Sequence, residues 1–169
     1  FQLKRVDDSI NAFQRGLDAH AAAPSLYRGL VLDYNSLGDL ESETSALGNY
    51  LIFEDQDAAA HYRFGLLSTL SNPDRALDEL AAAAKLDAAY DPAYQTMRTT
   101  LNLASLEKDE SRRRVVIGRG LGLVQEWPLA RETFERATVA DPKNAEAWAW
   151  LGEAKQHLGQ DGRADLERA

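Results

Sequence analysis

The sequence predicts an all-α solenoid of about ten helices that pack as antiparallel pairs. The 169 residues include 27 Ala and 24 Leu, both strong helix formers, but only nine Val and Ile together, which argues against a sizeable sheet. Turn signals at positions 38, 72, 126 and 160 separate stretches in which apolar residues recur at helical spacing. The intervals are 34, 54 and 34 residues, so a unit of 34 residues repeats with about 20 residues inserted.

Each predicted helix lies between two of these turns or next to one. Asn72 and Asp91, each followed by a proline, predict helix starts, because the side chain accepts an amide hydrogen bond and the proline has no amide to leave unpaired. Asn144 and Asp161 can act as caps in the same way. The predicted helices cover residues 4–19, 25–37, 40–54, 57–70, 73–86, 92–106, 111–125, 128–140, 144–158 and 161 onward.

The excess of 20 residues corresponds to an extra helix over 92–106, whose apolar stripe is Tyr94, Met97, Leu101 and Ala104. This helix is either inserted between two blocks of repeats or is a first helix that lost its partner. We expect the direction of the array to change near 105–112. The predicted division is a single array with a lone helix at 1–23, repeats at 24–57 and 58–90, the extra helix at 91–110, a repeat at 111–144 and a truncated repeat at 145–169.

The third and fourth pairs carry a motif of small and large residues that repeats after 34 positions. The third pair has Ile117-Gly118, Leu121, Ala130, Phe134, Ala137 and Pro142, and the fourth has Trp148, Leu151-Gly152 and Ala164. This pattern resembles the tetratricopeptide repeat (TPR) family. The small residues let two helices approach closely, and the large ones fill the space between repeats.

The resemblance covers about 24–90 and 111–169, with departures in several units. Val31 stands where the family has Gly, Glu43 where it has Ala, and Arg114 where it has a large aromatic residue. The resemblance implies a right-handed solenoid whose first helices line an inner groove. The groove residues predicted to bind a partner are Arg28, Asn35, Tyr62, Arg63, Arg112, Val115 and Arg119.

Three glycines, Gly118, Gly120 and Gly122, leave two interpretations open. The spacing is that of a phosphate-binding loop in part, but no strand precedes it and no Lys-Ser or Lys-Thr follows, which favours close helix packing. The three His residues show no metal-ligand spacing and the chain has no Cys. We therefore predict no catalytic residue, no cofactor and no metal site.

Charge is unevenly distributed along this acidic chain, whose formal net charge is −8. Residues 98–119 carry a local charge of +3, which leaves −11 for the remainder, and 14 of the 19 basic residues are Arg. The planar guanidinium group of Arg binds a carboxylate through paired hydrogen bonds, so we expect the groove to bind a protein or peptide with an acidic stretch or a C-terminal carboxylate. The other interpretation is that these arginines pair with neighbouring acids and keep the surface soluble. The acidic balance argues against a nucleic acid partner.

The predicted function is a non-catalytic scaffold for protein–protein interactions. The alternative is that the array is the TPR tail of a larger bacterial envelope enzyme or transferase, and RNA binding is a third class that the acidic balance opposes. No apolar run is long enough to insert in a membrane. The composition, rich in Ala, Leu and Arg and free of Cys, is typical of a bacterial protein. Because the chain starts at Phe1 without a Met and stops within a helical pattern, we expect a fragment whose last repeat mediates self-association. The sequence does not indicate the compartment.

Overall fold

The computed structural model describes the backbone of residues 2–20 and 22–169 and the side chains of residues 5–20 and 22–169. Residues 1 and 21 of the predicted lone-helix segment 1–23 lie outside the described residues. The described residues form α-helices and no strand. The helices are α1 (Gln2–Ala19), α2 (Pro24–Leu37), α3 (Leu40–Leu51), α4 (Ala58–Ser68), α5 (Pro73–Leu86), α6 (Asp91–Leu106), α7 (Glu110–Leu123), α8 (Trp127–Ala140), α9 (Ala145–His157) and α10 (Arg163–Leu166).

The helix ends show why the turns fall where the sequence predicts them. The Asn72 side chain accepts a hydrogen bond from the Arg75 amide at 3.1 Å, and Asn144 accepts one from the Ala147 amide at 3.2 Å. The predicted cap at Asp91 is wrong. A 3₁₀ turn over Ala88–Tyr90 runs directly into α6, so Asp91 is already helical and has no orphan amide to cap.

Helices that follow one another in the sequence pack against one another, which confirms the predicted solenoid of helix pairs. The closest pairs are α2 with α3, α4 with α5, and α7 with α8. The extra helix α6 packs against both α5 and α7. This arrangement is compatible with both origins proposed for the extra helix.

One continuous apolar core joins α4 through α9. It contains Leu80, Met97, Leu121 and Phe134, all of them buried. A smaller cluster around Leu47 and the side chains near it joins α3 to α4. Each helix is 11–18 residues long, apart from the four-residue α10, and helices of this length are marginal alone. Their stability therefore depends on burying their apolar stripes against neighbours.

The helices that follow α6 return to contact α3 and α4. A cleft of about 440 Å³ has walls from α3, α4, α7 and α8, including Leu40, Leu66 and Leu129. Beside it, the Arg63 guanidinium lies 3.4 Å from the Glu126 carboxylate, although the two residues are 63 positions apart. After the odd helix, the chain therefore places side chains of α7 and α8 across this cleft from α3 and α4.

The glycines of α7 serve close packing, as their spacing predicted. A Cβ atom at Gly118 would lie 2.5 Å from the Phe134 ring, and one at Gly120 would lie 2.3 Å from the Thr100 hydroxyl. Neither distance is tolerated by a real side chain. Gly118 therefore allows α8 to approach α7, and Gly120 allows α6 to approach from another side.

Candidate interaction groove

The exposed faces of α7 and α9 lie side by side and form the best candidate for an interaction surface. On α7, Arg112, Arg119 and Leu123 are exposed, and they share one face because they are seven and four residues apart. On α9, Glu146, Trp150, Glu153 and His157 follow the same spacing. The two helices contact each other, so we refer to the surface formed by these seven residues as the C-terminal groove.

Arg119 is the most connected cation of the C-terminal groove. Its guanidinium lies 3.5 Å from the Glu146 carboxylate and 5.2 Å from the centre of the Trp150 ring. Both side chains of the ion pair are about half exposed, so water screens their attraction. The Trp150 indole also donates to Glu146 over 3.4 Å. Arg119 is thus held over an aromatic face but keeps donors available to a ligand.

Arg112 lies two turns from Arg119 towards the start of α7. Its backbone amide donates to the Asp109 side chain at 2.8 Å, which caps the helix. Within the described part of the chain, its guanidinium has no carboxylate at ion-pair distance. The neighbouring Arg113 guanidinium donates to the Glu107 backbone carbonyl at 3.1 and 2.9 Å, and its charge helps to lower the pKa of Glu110.

Val115 lies in the core and not on the groove surface. It is only 2% exposed and packs with Ala137, Ala147 and Trp150. Both valines lie next to the arginine face, on opposite sides of α7, because each is three residues from one arginine and four from the other. Val115 is on the side that packs against α8 and α9, whereas Val116 is half-buried on the other side. The C-terminal groove therefore does not include Val115.

Two of the predicted residues from the first half of the chain hold a buried acid. Arg63 donates to both oxygens of Glu43 at 2.7 and 2.9 Å, and Asn35 donates to Glu43 at 3.1 Å. The Glu43 side chain is 1% exposed, so it needs these partners. Burial lowers the pKa of Arg63, but the hydrogen bonds and charges of Glu43 and Glu126 outweigh this effect and raise it.

Tyr62 lies beside this ion pair and packs on Tyr90. The two ring centres are 4.7 Å apart. Burial, followed by the negative charge of Glu126, raises the pKa of Tyr62 to about 12. Burial also raises the pKa of Glu126, against the opposing charge of Arg63. Tyr62 is therefore a neutral, half-buried phenol on α4 that lies near the α7–α8 turn.

Contacts divide the predicted groove residues into separate groups. Asn35 and Arg63 meet at Glu43, with Tyr62 next to them, whereas Arg112 and Arg119 share the exposed face of α7. Arg28 is exposed on α2, where its charge acts on Tyr50, and among the described residues it forms no hydrogen bond or ion pair with the other groups.

The sequence did not identify the aromatic residues of the C-terminal groove as a site. A cleft of about 300 Å³ opens between α7 and α9, and we call it the aromatic cleft. Its lining is Gly118, Arg119, Gly122, Leu123, Gln125, Trp127, Phe134, Trp150, Glu153 and His157. The spacing of Glu146, Trp150, Glu153 and His157 was a signal that could have revealed this stripe.

Residues 2–20 and 22–169 contain neither a membrane-spanning helix nor a cluster of metal-binding side chains. No helix there is both long and apolar enough to cross a lipid bilayer. No group of three or more His, Cys, Asp or Glu side chains in this part of the chain is arranged to hold a metal ion.

Part of the chain matches a family of known repeat proteins. A family model described as the tetratricopeptide repeat matches residues 133–165, which include parts of α8, α9 and α10. No curated protein matches the chain. The resemblance of the sequence to the TPR family is therefore confirmed at its fourth unit, where the motif of small and large residues is clearest.

Several solved structures resemble the chain at low sequence identity. Two crystal structures of MamA are 17% identical, with TM-scores of 0.47 and 0.49, and they cover 96% and 98% of this chain and 85% and 81% of theirs. YrrB, described as a TPR protein with an unusual peptide-binding site, is 17% identical with a TM-score of 0.43, covering 93% of this chain and 90% of its own. None of these comparisons supports the envelope-enzyme alternative.

Proposed function

We propose that this chain, whose residues 133–165 match the tetratricopeptide repeat, is a non-catalytic scaffold that binds a partner protein or peptide in the C-terminal groove. The observation that carries the proposal is the exposed arginine face of α7. Arg112 and Arg119 lie about 10 Å apart along the helix, and Arg112 has no carboxylate beside it among the described residues.

The chemistry of this face favours an acidic stretch or a C-terminal carboxylate as the ligand. A guanidinium group binds a carboxylate through paired hydrogen bonds, which are stronger than those between neutral groups. The remainder of the chain carries −11, but screening limits its repulsion to roughly a Debye length of about 8 Å. Arg63 and Asn35 take no part in this proposal, because the buried Glu43 already occupies them.

The test is the double variant Arg112→Ala with Arg119→Ala. The matched control is Arg15→Ala with Arg163→Ala, which also removes two exposed positive charges but lies outside the C-terminal groove. Partners captured from a lysate of the source organism are identified by mass spectrometry, purified and titrated against all three proteins. We expect the groove variant to lose at least tenfold in affinity while its melting temperature stays within about 2 °C of wild type.

Two outcomes contradict the proposal. If the groove variant and the control bind the purified partner equally well, the arginine face is not the binding site. If the groove variant instead unfolds at a much lower temperature than the control, the two arginines are structural. A loss of affinity that 0.5 M salt reproduces in the wild type would agree with the proposed charge recognition.

A further inference from the structure

The aromatic cleft has features that the arginine face alone does not explain. It holds about 300 Å³, at the small end of ligand pockets, which suits one large side chain rather than a larger molecule. Phe134 closes its base and is fully buried, while Trp127 and Trp150 are half-buried and keep part of their surface open. The cleft is therefore a socket with an apolar floor and accessible aromatic walls.

Two glycines of α7 keep this socket open. Gly118 and Gly122 are four residues apart, so both face the same direction, and the wall that they form is bare backbone. A Cβ at Gly122 would lie 3.1 Å from Trp127, and one at Gly118 would lie 2.5 Å from Phe134. Packing explains why α7 has small residues here, and it also leaves the aromatic rings exposed to a ligand from the groove side.

The aromatic walls are held in place before any ligand arrives. Trp127 stacks on His157 with ring centres 3.6 Å apart and an interplanar angle of 5°. The ring centres of Trp150 and Phe134 are 6.0 Å apart, and the Arg119 guanidinium lies over the Trp150 ring. Because these rings are already ordered, a ligand loses little affinity to ordering them. Leu123, 73% exposed, stands at the rim and adds apolar surface.

The charged side chains at the socket and those nearer the start of α7 differ in their partners. At the socket itself, Arg119 is paired with Glu146, and Glu153 lies 3.9 Å from His157. Arg112 lies eight residues before the middle of the wall formed by Gly118 and Gly122, which is roughly 12 Å along the helix, and it has no carboxylate at ion-pair distance among the described residues. An extended peptide advances about 3.3 Å per residue, so 12 Å corresponds to three or four residues.

We propose that the aromatic cleft takes one aromatic or long aliphatic side chain of a partner peptide that carries an acidic residue three or four positions away, over Arg112. This inference rests on the proposed function and adds to it the apolar residue that fixes the position of the peptide. Apolar burial in the socket contributes affinity, and the arginines select the charge and set the register.

The test uses the three tryptophans of the chain as reporters. In a ¹⁵N–¹H spectrum of the whole chain, the indole signals of Trp127 and Trp150 report on the cleft. Trp148, whose indole donates to the Pro142 carbonyl at 2.9 Å, lies outside its lining and is an internal control. The probes are acetyl-Phe-Ala-Gly-Glu-Glu amide and the reversed sequence acetyl-Glu-Glu-Gly-Ala-Phe amide, since the direction of the bound peptide is not assumed.

We expect one of the two probes to shift the Trp127 and Trp150 signals and to leave Trp148 in place. Replacing the Phe of that probe by Ser should weaken binding at least tenfold, because the socket then stays unfilled. Replacing both Glu residues by Gln should also weaken it. In the protein, Leu123→Ser should lower the affinity of the Phe probe, whereas the matched exposed change Leu103→Ser on α6 should not.

Each remaining outcome overturns the inference. If the Phe and Ser probes bind alike, and Arg112→Ala with Arg119→Ala weakens both, the arginine face binds acid but the socket is not used. If neither probe shifts the cleft signals while partner capture still depends on the arginines, the proposed function stands without the socket. If a probe with Lys in place of Phe binds more tightly than the Phe probe, the cleft binds a cation beside Glu153 and not an apolar side chain. Cleft signals that change on dilution without any probe would show that a second copy occupies the socket.

Discussion

At the scale of single residues, two glutamates of the described residues are buried, and each has at least one hydrogen-bonding partner from another helix. Glu43 is 1% exposed and accepts from Arg63, whereas Glu79 is 7% exposed and contacts Arg75 and His61, both at 2.5 Å. Burying an unpaired carboxylate is costly, so these partners are what make the burial tolerable. Both acids join consecutive helices through polar contacts inside an otherwise apolar array.

The Glu43–Arg63 pair gives a prediction at this scale. Arg63→Met removes the partner but leaves Glu43 buried, and we expect it to lower the free energy of unfolding by about 2–4 kcal/mol. Urea denaturation at pH 7, followed by circular dichroism, measures this change. The variant Glu43→Leu serves as the second arm of a double-mutant cycle.

The double variant Glu43→Leu with Arg63→Met is the matched control. Since an apolar pair of similar volume removes both buried charges, we expect it to recover most of the loss and to be close to wild type in stability. If the double variant is as unstable as the sum of the single ones, the two side chains do not depend on each other and the interpretation of a satisfied buried pair is wrong.

At the scale of helices, α7 shows how packing overrides intrinsic propensity. Replacing Gly by Ala inside a helix normally stabilises it by about 1 kcal/mol. At Gly118 the added methyl group would collide with Phe134, which is fully buried and cannot move away easily. We therefore expect Gly118→Ala to destabilise the chain by about 1–3 kcal/mol, measured as a shift in the urea midpoint.

Gly48 of α3 is the matched control for this prediction. A Cβ at Gly48 would lie 3.4 Å from the Phe64 ring, an ordinary contact, so Gly48→Ala should raise stability by about 0.5–1 kcal/mol. Opposite signs for the two substitutions are the expected result. If Gly118→Ala also stabilises the chain, α7 and α8 are not in close contact at that glycine.

Helices were predictable from the sequence because their signals are local. The spacing of 34 residues, the caps at Asn72 and Asn144 and the apolar stripes all lie within a few residues of the ends that they determine. The same reasoning failed at Asp91, because a 3₁₀ turn continues into α6, and at Val115, because α8 and α9 cover its side of α7. Whether a side chain of α7 is exposed depends on which faces of the helix its neighbours cover, and local sequence signals do not identify those neighbours.

At the scale of the whole molecule, the spacing of repeats led us to expect a change of direction near 105–112, but it could not predict that α7 and α8 share a cleft with α3 and α4. This arrangement depends on contacts between residues far apart in the sequence, such as Arg63 with Glu126. The sequence therefore presented Arg63 and Asn35 as groove residues, whereas the fold uses both to hold a buried acid. The aromatic cleft was missed for a similar reason, because Trp127 and His157 stack across 30 positions.

The pH dependence of stability tests this long-range contact. Burial raises the pKa of Glu126 in the folded chain above its ordinary value of 4.5. Between these two values the folded state binds more protons than the unfolded state, so stability falls as the pH rises through this window. Glu126→Gln removes the titrating group. We therefore expect the stability of the wild type relative to Glu126→Gln to be greatest below pH 4.5 and to decline as the pH rises above that value.

Urea denaturation at intervals from pH 4 to 8 measures this difference, and salt separates the effect of burial from that of the nearby charges. The burial of Glu126 acts at any ionic strength. The attraction of Arg63, which opposes it, and the smaller repulsion of Glu43, which adds to it, are both weakened by 1 M salt. The decline with pH should therefore become steeper at high salt. A relative stability that rises with pH would instead mean that Arg63 stabilises the Glu126 carboxylate more than burial penalises it, so that the contact between α4 and the α7–α8 turn acts as a favourable ion pair.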